Sequence, residues 1–449
     1  MRLPLVVPIF VLAPSIAAQA SWSQLYPSVS PPPVHSASMA CFEPTGEVVL
    51  VFGGTAAGPP NTQGWRLHGN TWSPFPAPAQ TGNSRGMVYD SVRQRLVVFG
   101  GDGPVDDTWE WNGATWLHPT PAVRPAARSL FAMAFDRTRG VTVVFGGRDS
   151  NANDLQDLWE WNGAVWALRA ATTPLGQRYR VVGAFDPVHR NVLLYGGMRY
   201  LGPGSGELVF NDTWAWNGTA FTQYTPPVPP PYLRMEAIVT DLHRQRVILY
   251  GGDTGDHITR EWTGAEWVER AGPSPGPRNS HALAYDTSLR RTVLFGGTSS
   301  GAWVQDTWIY RTPLPADVVP FGSGCAGTAG TPSLAATPFT LPWLGDTMRT
   351  VVQTIPAGEP GALFVSSFGT TPPVPLGPVG MPGCDLLVPI DLVDFRVAVA
   401  GSAEWTLTIP NVPALAGLSF GQQAFVRDVP ANPLGLTSSN AITLTLGVR

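Results

Sequence analysis

The chain has 449 residues, a net charge of −4 and only 13% charged residues. Its fixed cations are arginines, with no lysine anywhere, so the basic footprint of a nucleic-acid binder is missing. The length allows more than one domain, and guanidinium groups suit stacking and two-point contacts to carboxylates.

The N-terminus reads as a secretory signal over residues 1–20. Arg2 supplies a positive start, Leu3 to Ala17 is mostly apolar, and Ala18-Gln19-Ala20 fits an A-x-A cleavage site. Pro4, Pro8 and Pro14 disfavour a stable membrane helix. No later stretch approaches the roughly 20 apolar residues that a helical span needs. The expectation is cleavage after Ala20 and a secreted or cell-surface protein with no membrane span.

From residue 43 one phrase recurs six times: an acid, then nine positions later an aromatic and two glycines. The pairs run Glu43 to Phe52-Gly53-Gly54, Asp90 to Phe99-Gly100-Gly101, and Asp136 to Phe145-Gly146-Gly147. Asp186 to Tyr195-Gly196-Gly197, Asp241 to Tyr250-Gly251-Gly252 and Asp286 to Phe295-Gly296-Gly297 complete the series. The aromatic returns after 47, 46, 50, 55 and 45 residues, a period that belongs to propellers and solenoids.

The second repeat shows the grammar. Gly86 to Tyr89 is a short mixed strand ending at Asp90, and Ser91 to Gln94 is a polar turn. Leu96-Val97-Val98-Phe99 is a continuous apolar run, as for a strand covered on both faces. A variable loop follows Gly100-Gly101. Thr108-Trp109-Glu110-Trp111 then alternates as a third strand, Asn112-Gly113 signals a hairpin, and Trp116 opens a fourth strand. Repeats one and five keep only one tryptophan in the third strand, Trp65 and Trp262, which predicts looser packing there.

These residues resemble the kelch repeat over roughly residues 22–311: a glycine pair after the second strand, an aromatic in the third, a tryptophan in the fourth. The resemblance implies an all-β, six-bladed β-propeller over 21–311, one blade per repeat. The sixth repeat has its third strand in Asp306 to Tyr310 but no tryptophan after it. Trp22 sits 13 residues before His35, as Trp72 sits 13 before Arg85. Ser21 to Tyr26 therefore reads as the strand that completes blade six and closes the ring.

Beyond a linker at 312–324, residues 325–449 alternate apolar and polar in short runs, such as Trp405-Thr406-Leu407-Thr408-Ile409. That pattern predicts a small antiparallel β-sandwich. The stretches around Gly324-Cys325 and Gly383-Cys384 resemble a C-terminal module of exported bacterial proteins. Cys325 and Cys384 are expected to pair in an oxidising compartment, and Cys41 reads as a small buried thiol.

The start of the first strand and the end of the second share one face of a blade, so that face collects the loops after Gly-Gly. Arginine recurs eight residues before the acid at Arg128, Arg178 and Arg278; Arg85 and Arg234 lie closer, and His35 stands there in repeat one. These six residues could ring a channel mouth and bind carboxylates. A structural role, with the arginines bonding carbonyls around the glycine turn, suits their repetition better. The loops that differ between repeats offer Arg148 and Asp149, then Arg199, Tyr200 and Glu207, then Asp253 and His257, and finally Trp303. Aromatics beside polar groups suit sugar binding. The repeated acids read as turn caps.

Seven histidines are scattered, with no metal-ligand spacing, so no metal and no cofactor are expected. Kelch-like copper-radical oxidases need two histidines, one from the domain after the propeller; no histidine follows His281 here. The leading expectation is a monomeric, secreted binding protein for a glycan or an extracellular protein. A carbohydrate-active epimerase or lyase on a kelch propeller is the alternative, and a structural surface module the third.

Overall fold

The apolar second-strand runs and the Asn-Gly turns dictate small antiparallel sheets. In the computed structural model the chain is all-β, built from many such sheets. The structure describes residues 20–51, 53–55, 63–78, 83–103, 105–253, 255–312, 315–337, 340–369 and 372–448. The expected signal segment lies outside these residues except for Ala20. No helix among the described residues is long and apolar enough to cross a membrane.

Residues Ser21–Arg311 form one compact unit. It holds six four-stranded antiparallel sheets, numbered here one to six in chain order. Their first strands are Ser38–Phe42, Gly86–Asp90, Ala132–Asp136, Val182–Asp186, Ala237–Asp241 and Ala282–Asp286. Each first strand touches the first strand of the next sheet, and that of sheet six touches that of sheet one. Second strands such as Arg95–Phe99 and Val141–Phe145 are almost wholly buried, because sheets cover both of their faces.

Sheet six is completed by the N-terminal strand Ser21–Leu25, which pairs antiparallel with Thr307–Arg311. Trp22 aligns with Tyr310, and its indole N–H donates to Thr259 Oγ1 of sheet five at 2.7 Å. The same staple recurs between other sheets: Trp72 to Thr307 at 3.0 Å, Trp166 to Thr108 at 2.9 Å and Trp267 to Thr213 at 3.0 Å. Where sheet three replaces the threonine by Leu158, sheet four replaces the tryptophan by Phe221, and the two pack in one apolar cluster. A polar pair is exchanged there for an apolar one, which leaves no unmatched donor.

Five of the repeated acids cap their turns, as that reading requires. Asp90 Oδ1 accepts from Val92 N and Arg93 N at 3.0 and 2.9 Å, and Asp136, Asp186, Asp241 and Asp286 do likewise. Repeat one departs. Its first strand ends at Phe42 and its second at Val51, one residue earlier in the phrase than Asp136 and Phe145 in sheet three. Glu43 therefore leaves the capping position and pairs instead with Arg137 of sheet three at 2.7 and 3.1 Å. Looser packing in sheets one and five is not found. Leu67 and Trp262 are buried, and Arg260 is buried with its charge met by Asp256 and Glu269.

Residues from Thr312 onward belong to a second unit. Its five-stranded sheet has the order Asp317–Phe321, Leu436–Thr445, Ser419–Arg427, Gly361–Ser367, Leu392–Val397. A three-stranded sheet of Ser333–Ala336, Thr347–Gln353 and Ser402–Thr408 shares its core through Met348, Phe364, Trp405 and Phe420. Strand Asp317–Phe321 corrects the expected linker at 312–324: Val318 packs on that core and recruits the segment to the sheet edge. Cys325 and Cys384 form a disulfide, and Cys41 is free and buried. Burial pushes the Cys41 thiol up to about 11, so it stays protonated and unreactive.

The N-terminal strand supplies a buried tryptophan and a whole edge. Trp22→Ala should cost about 3–5 kcal/mol and lower the melting temperature by on the order of 10 °C in calorimetry. Deleting residues 21–30 should cost more. An unchanged melting temperature would contradict the role assigned to this strand.

Candidate functional site

Two residues ahead of each first strand the backbone turns left-handed. The residues are Ser36, Ser84, Leu130, Arg180, Met235 and Ser280, with φ between 52° and 60°. None is glycine, and such conformations cost about 1–3 kcal/mol each unless neighbours hold them. Neighbours do. Ser36 N donates to Ser280 O at 2.8 Å, Ser84 N to Ser36 O at 3.2 Å, Arg180 N to Leu130 O at 2.6 Å, and Ser280 N to Met235 O at 3.0 Å. These residues surround a cavity of about 170 Å³ on the axis of the six first strands.

The arginines expected at a channel mouth fall into different classes. Arg128, Arg178 and Arg278 are only 1–3% exposed. Each donates to the first glycine carbonyl of its own sheet and to an aspartate that starts the third strand. For Arg128 these are Gly146 O at 3.1 Å and Asp157 at 2.8 and 2.9 Å. Arg178 takes Gly196 O and Asp212, and Arg278 takes Gly296 O and Asp306. Their donors are spent inside the fold, so they present no guanidinium to a ligand. The placement of His35 with them is also corrected: the register of repeat one puts Val34 at the Arg128 position. Arg85 lines the axial cavity, and Arg234 pairs with Glu207 at 3.4 Å.

The loop residues separate as clearly. Arg148 pairs with Asp154 at 2.9 Å and lies 3.6 Å over the Tyr179 ring. Tyr179 donates its hydroxyl to Glu207, and Tyr200 N donates to Asp154 at 2.6 Å. Arg148, Tyr179, Tyr200, Glu207 and Arg234 thus form one linked assembly across sheets three, four and five. The Tyr200 side chain remains open, with 44% of the residue exposed. Trp303 packs against His35 with ring centroids 4.4 Å apart and planes tilted by 49°, at the seam of sheets six and one.

Asp149 instead closes its own loop by accepting from Asn151 N and from the Asn153 backbone and amide. Arg199, Asp253 and His257 are exposed. Among the described residues no hydrogen bond or ion pair joins His257 to Arg148 or Glu207. Nor does any group of three or more His, Cys, Asp or Glu side chains among the described residues suit a metal ion.

The axial cavity holds two groups that sequence reasoning passed over, Arg180 and Glu236. Glu236 is 6% exposed, and neither carboxyl oxygen has a hydrogen-bond partner. Burial pushes its carboxyl up to about 7, opposed first by the nearby backbone N–H of Glu236 itself and then by Arg180, and assisted by Asp253. Burial also lowers the Arg180 pKa. A signal for Glu236 existed. Five residues before the acid, repeats two to six carry Arg85, Phe131, Val181, Glu236 and His281, so ionisable residues enter a buried position that is elsewhere apolar. His281 there has its pKa lowered to about 3 by burial and Arg278, which keeps the ring neutral. No protein-family model matches the chain, and no curated protein is significantly similar to it.

Glu236 links stability to pH. An exposed glutamate titrates near 4.5, and the folded one near 7. Between these values the folded chain keeps a proton that the unfolded chain has released, so stability falls as pH rises through that window. The loss reaches about 3 kcal/mol above pH 7. Glu236→Gln should therefore raise the melting temperature at pH 8 and leave it nearly unchanged at pH 4. A variant less stable than the parent at pH 8 would refute the buried-acid assignment.

Proposed function

We propose that this chain is an exported binding protein: a six-bladed, kelch-like β-propeller closed by its N-terminal strand, with an appended β-sandwich. Its ligand is a glycan, held on the face where the loops after Gly-Gly gather. The fold part of this reading is supported by six like sheets whose first strands touch in a cycle. Export is supported by the A-x-A motif and by a disulfide, since disulfides persist in oxidising compartments.

One observation carries the ligand class: the Arg148–Tyr179–Glu207–Arg234 assembly with Tyr200 open beside it. Sugars present both apolar faces and hydroxyls, and this assembly offers rings and charged hydrogen-bonding groups within one patch. The tilted Trp303–His35 pair adds a second aromatic contact among the loops after Gly-Gly. The alternative, a carbohydrate epimerase or lyase, is favoured by a single observation, the buried and unpartnered Glu236. It lacks an effective companion base, because burial and Arg278 lower the His281 pKa to about 3 and make it a weak proton acceptor, and His257 is exposed on its loop.

A combined glycan and peptide array of the mature protein tests the proposal. The expected result is a glycan hit that weakens about tenfold, some 1.4 kcal/mol, on Tyr200→Ala. Trp303→Ala should weaken longer glycans more than short ones. Hits confined to peptides, or a glycan hit indifferent to both substitutions, would overturn it.

A further inference from the structure

Among the described residues the side chains of Arg180 and Glu236 make no hydrogen bond or ion pair with the scaffold, and Arg180 only approaches the Tyr179 ring, 5.9 Å from its centroid. The other buried glutamates described in this unit are tied down: Glu110 by Arg93 and Trp161, Glu160 by Arg139 and Trp216, and Glu261 by Arg244, Arg270 and Tyr310. Glu236 has no such partner, and its Oε1 lies against Gly196 at the cavity wall. The Arg180 guanidinium also lines that cavity, and its Nε is buried without a hydrogen-bond partner. No hydrogen bond joins the two groups. Buried polar groups are normally satisfied, so an unmatched donor and an unmatched carboxyl on one small cavity call for a ligand.

The donor balance says which ligand. Around the cavity stand two guanidiniums, Arg85 and Arg180, the serines Ser36, Ser84 and Ser280, and a single carboxyl. Among the lining side chains two guanidiniums face one carboxyl, with Asp102 and Asp107 acting on Arg85 and Glu207 and Asp253 on Arg180 from beyond the lining, so the donors on the cavity wall complement a small group with several oxygens. A space of about 170 Å³ is small beside ordinary ligand pockets of several hundred. It fits a terminal group rather than a chain. We infer that the axial cavity takes the carboxylate of an acidic sugar, a uronic acid end group, with Arg180 as its cation and Glu236 as the donor beside it. This deepens the glycan-binding reading and rests on it.

The charged groups acting on Glu236 are Arg180 and Asp253, with Arg85 across the cavity; Glu207, Tyr179 and Arg148 act on Arg180. Below pH about 7 Glu236 carries its proton and can donate to a carboxylate oxygen. Above it, two like charges meet, so affinity falls as pH rises.

The test is calorimetric titration of the full mature chain with D-glucuronate and with D-glucose. At pH 6, glucuronate should bind at least tenfold more tightly than glucose, and Arg180→Gln should abolish that preference. Between pH 6 and pH 8 glucuronate binding should weaken, and Glu236→Gln should remove the weakening. If Arg180→Gln misfolds, Arg180→Lys serves, with a several-fold loss expected. Equal binding of the two sugars, no glucuronate binding at millimolar concentration, or full binding by the Arg180 variants would each overturn the inference. So would loss on Tyr200→Ala with none on Arg180→Gln, which would move the carboxylate to the loops. Glucuronate binding without any array hit would leave the cavity standing and defeat only the loop-face reading.

Discussion

Everything in the first unit depends on how closely one sheet crosses the next at the paired glycines. The second glycine of a sheet donates its N–H to a carbonyl that precedes the next sheet: Gly101 to Arg128, Gly147 to Arg178, Gly252 to Arg278, each at 2.9 Å, and Gly297 to Val34 at 2.8 Å. The first glycine sits beneath the same carbonyl. A Cβ on Gly100 would lie 2.6 Å from Arg128 O, and φ there is +63°, so both space and conformation demand glycine. The arginine then turns its side chain back to the first glycine carbonyl of its own sheet. One residue thereby joins two seams. The bond from Gly297 to Val34 runs from sheet six to sheet one, so the last seam has the chemistry of the others.

Because this crossing repeats, the residues that make it repeat as well. Their regularity identifies them as scaffold: turn-capping aspartates, glycine pairs, the three deep arginines, and the tryptophan–threonine staples. Chemistry has to come from positions where the repeats disagree. Two such sets exist. One is the loops after the glycines, where Arg148, Tyr200 and Glu207 meet. The other is the ring of left-handed residues and the positions just after it, where serines, Arg180, Arg85 and Glu236 surround the axis. The opposite end of the axis is spanned by the Glu43–Arg137 ion pair, which directs attention to the strand-start end.

Much of this was legible in the sequence. The acid-to-glycine spacing located five of the six turns, and the missing tryptophan after Tyr310 pointed to Trp22. The failures have physical causes. In repeat one the phrase is intact but the strands are displaced by one residue, and spacing alone cannot report which residue a strand pairs with. His35 was grouped with the arginines for that reason. Arg128, Arg178 and Arg278 looked available because a sequence shows charge but not the aspartate at the start of the third strand that meets it. The Arg148–Tyr179–Glu207 assembly joins residues from separate repeats, and no spacing within one repeat encodes that contact. Glu236 was readable only by comparing the same position across repeats.

Arg178 and Arg180 stand two residues apart and divide scaffold from site. Arg178 holds Asp212, Gly196 O and the face of Phe210, whereas Arg180 makes its backbone bond and a looser approach to the Tyr179 ring, 5.9 Å from the centroid. Melting temperature and glucuronate affinity, measured together for Arg178→Gln and Arg180→Gln, separate the two roles. The account predicts that Arg178→Gln strands a half-buried carboxylate and costs about 3 kcal/mol of stability, with binding retained in the folded fraction. It predicts that Arg180→Gln keeps the melting temperature and loses the carboxylate preference. The reverse pattern, a stable Arg178 variant and an unstable Arg180 variant that still prefers glucuronate, would contradict it.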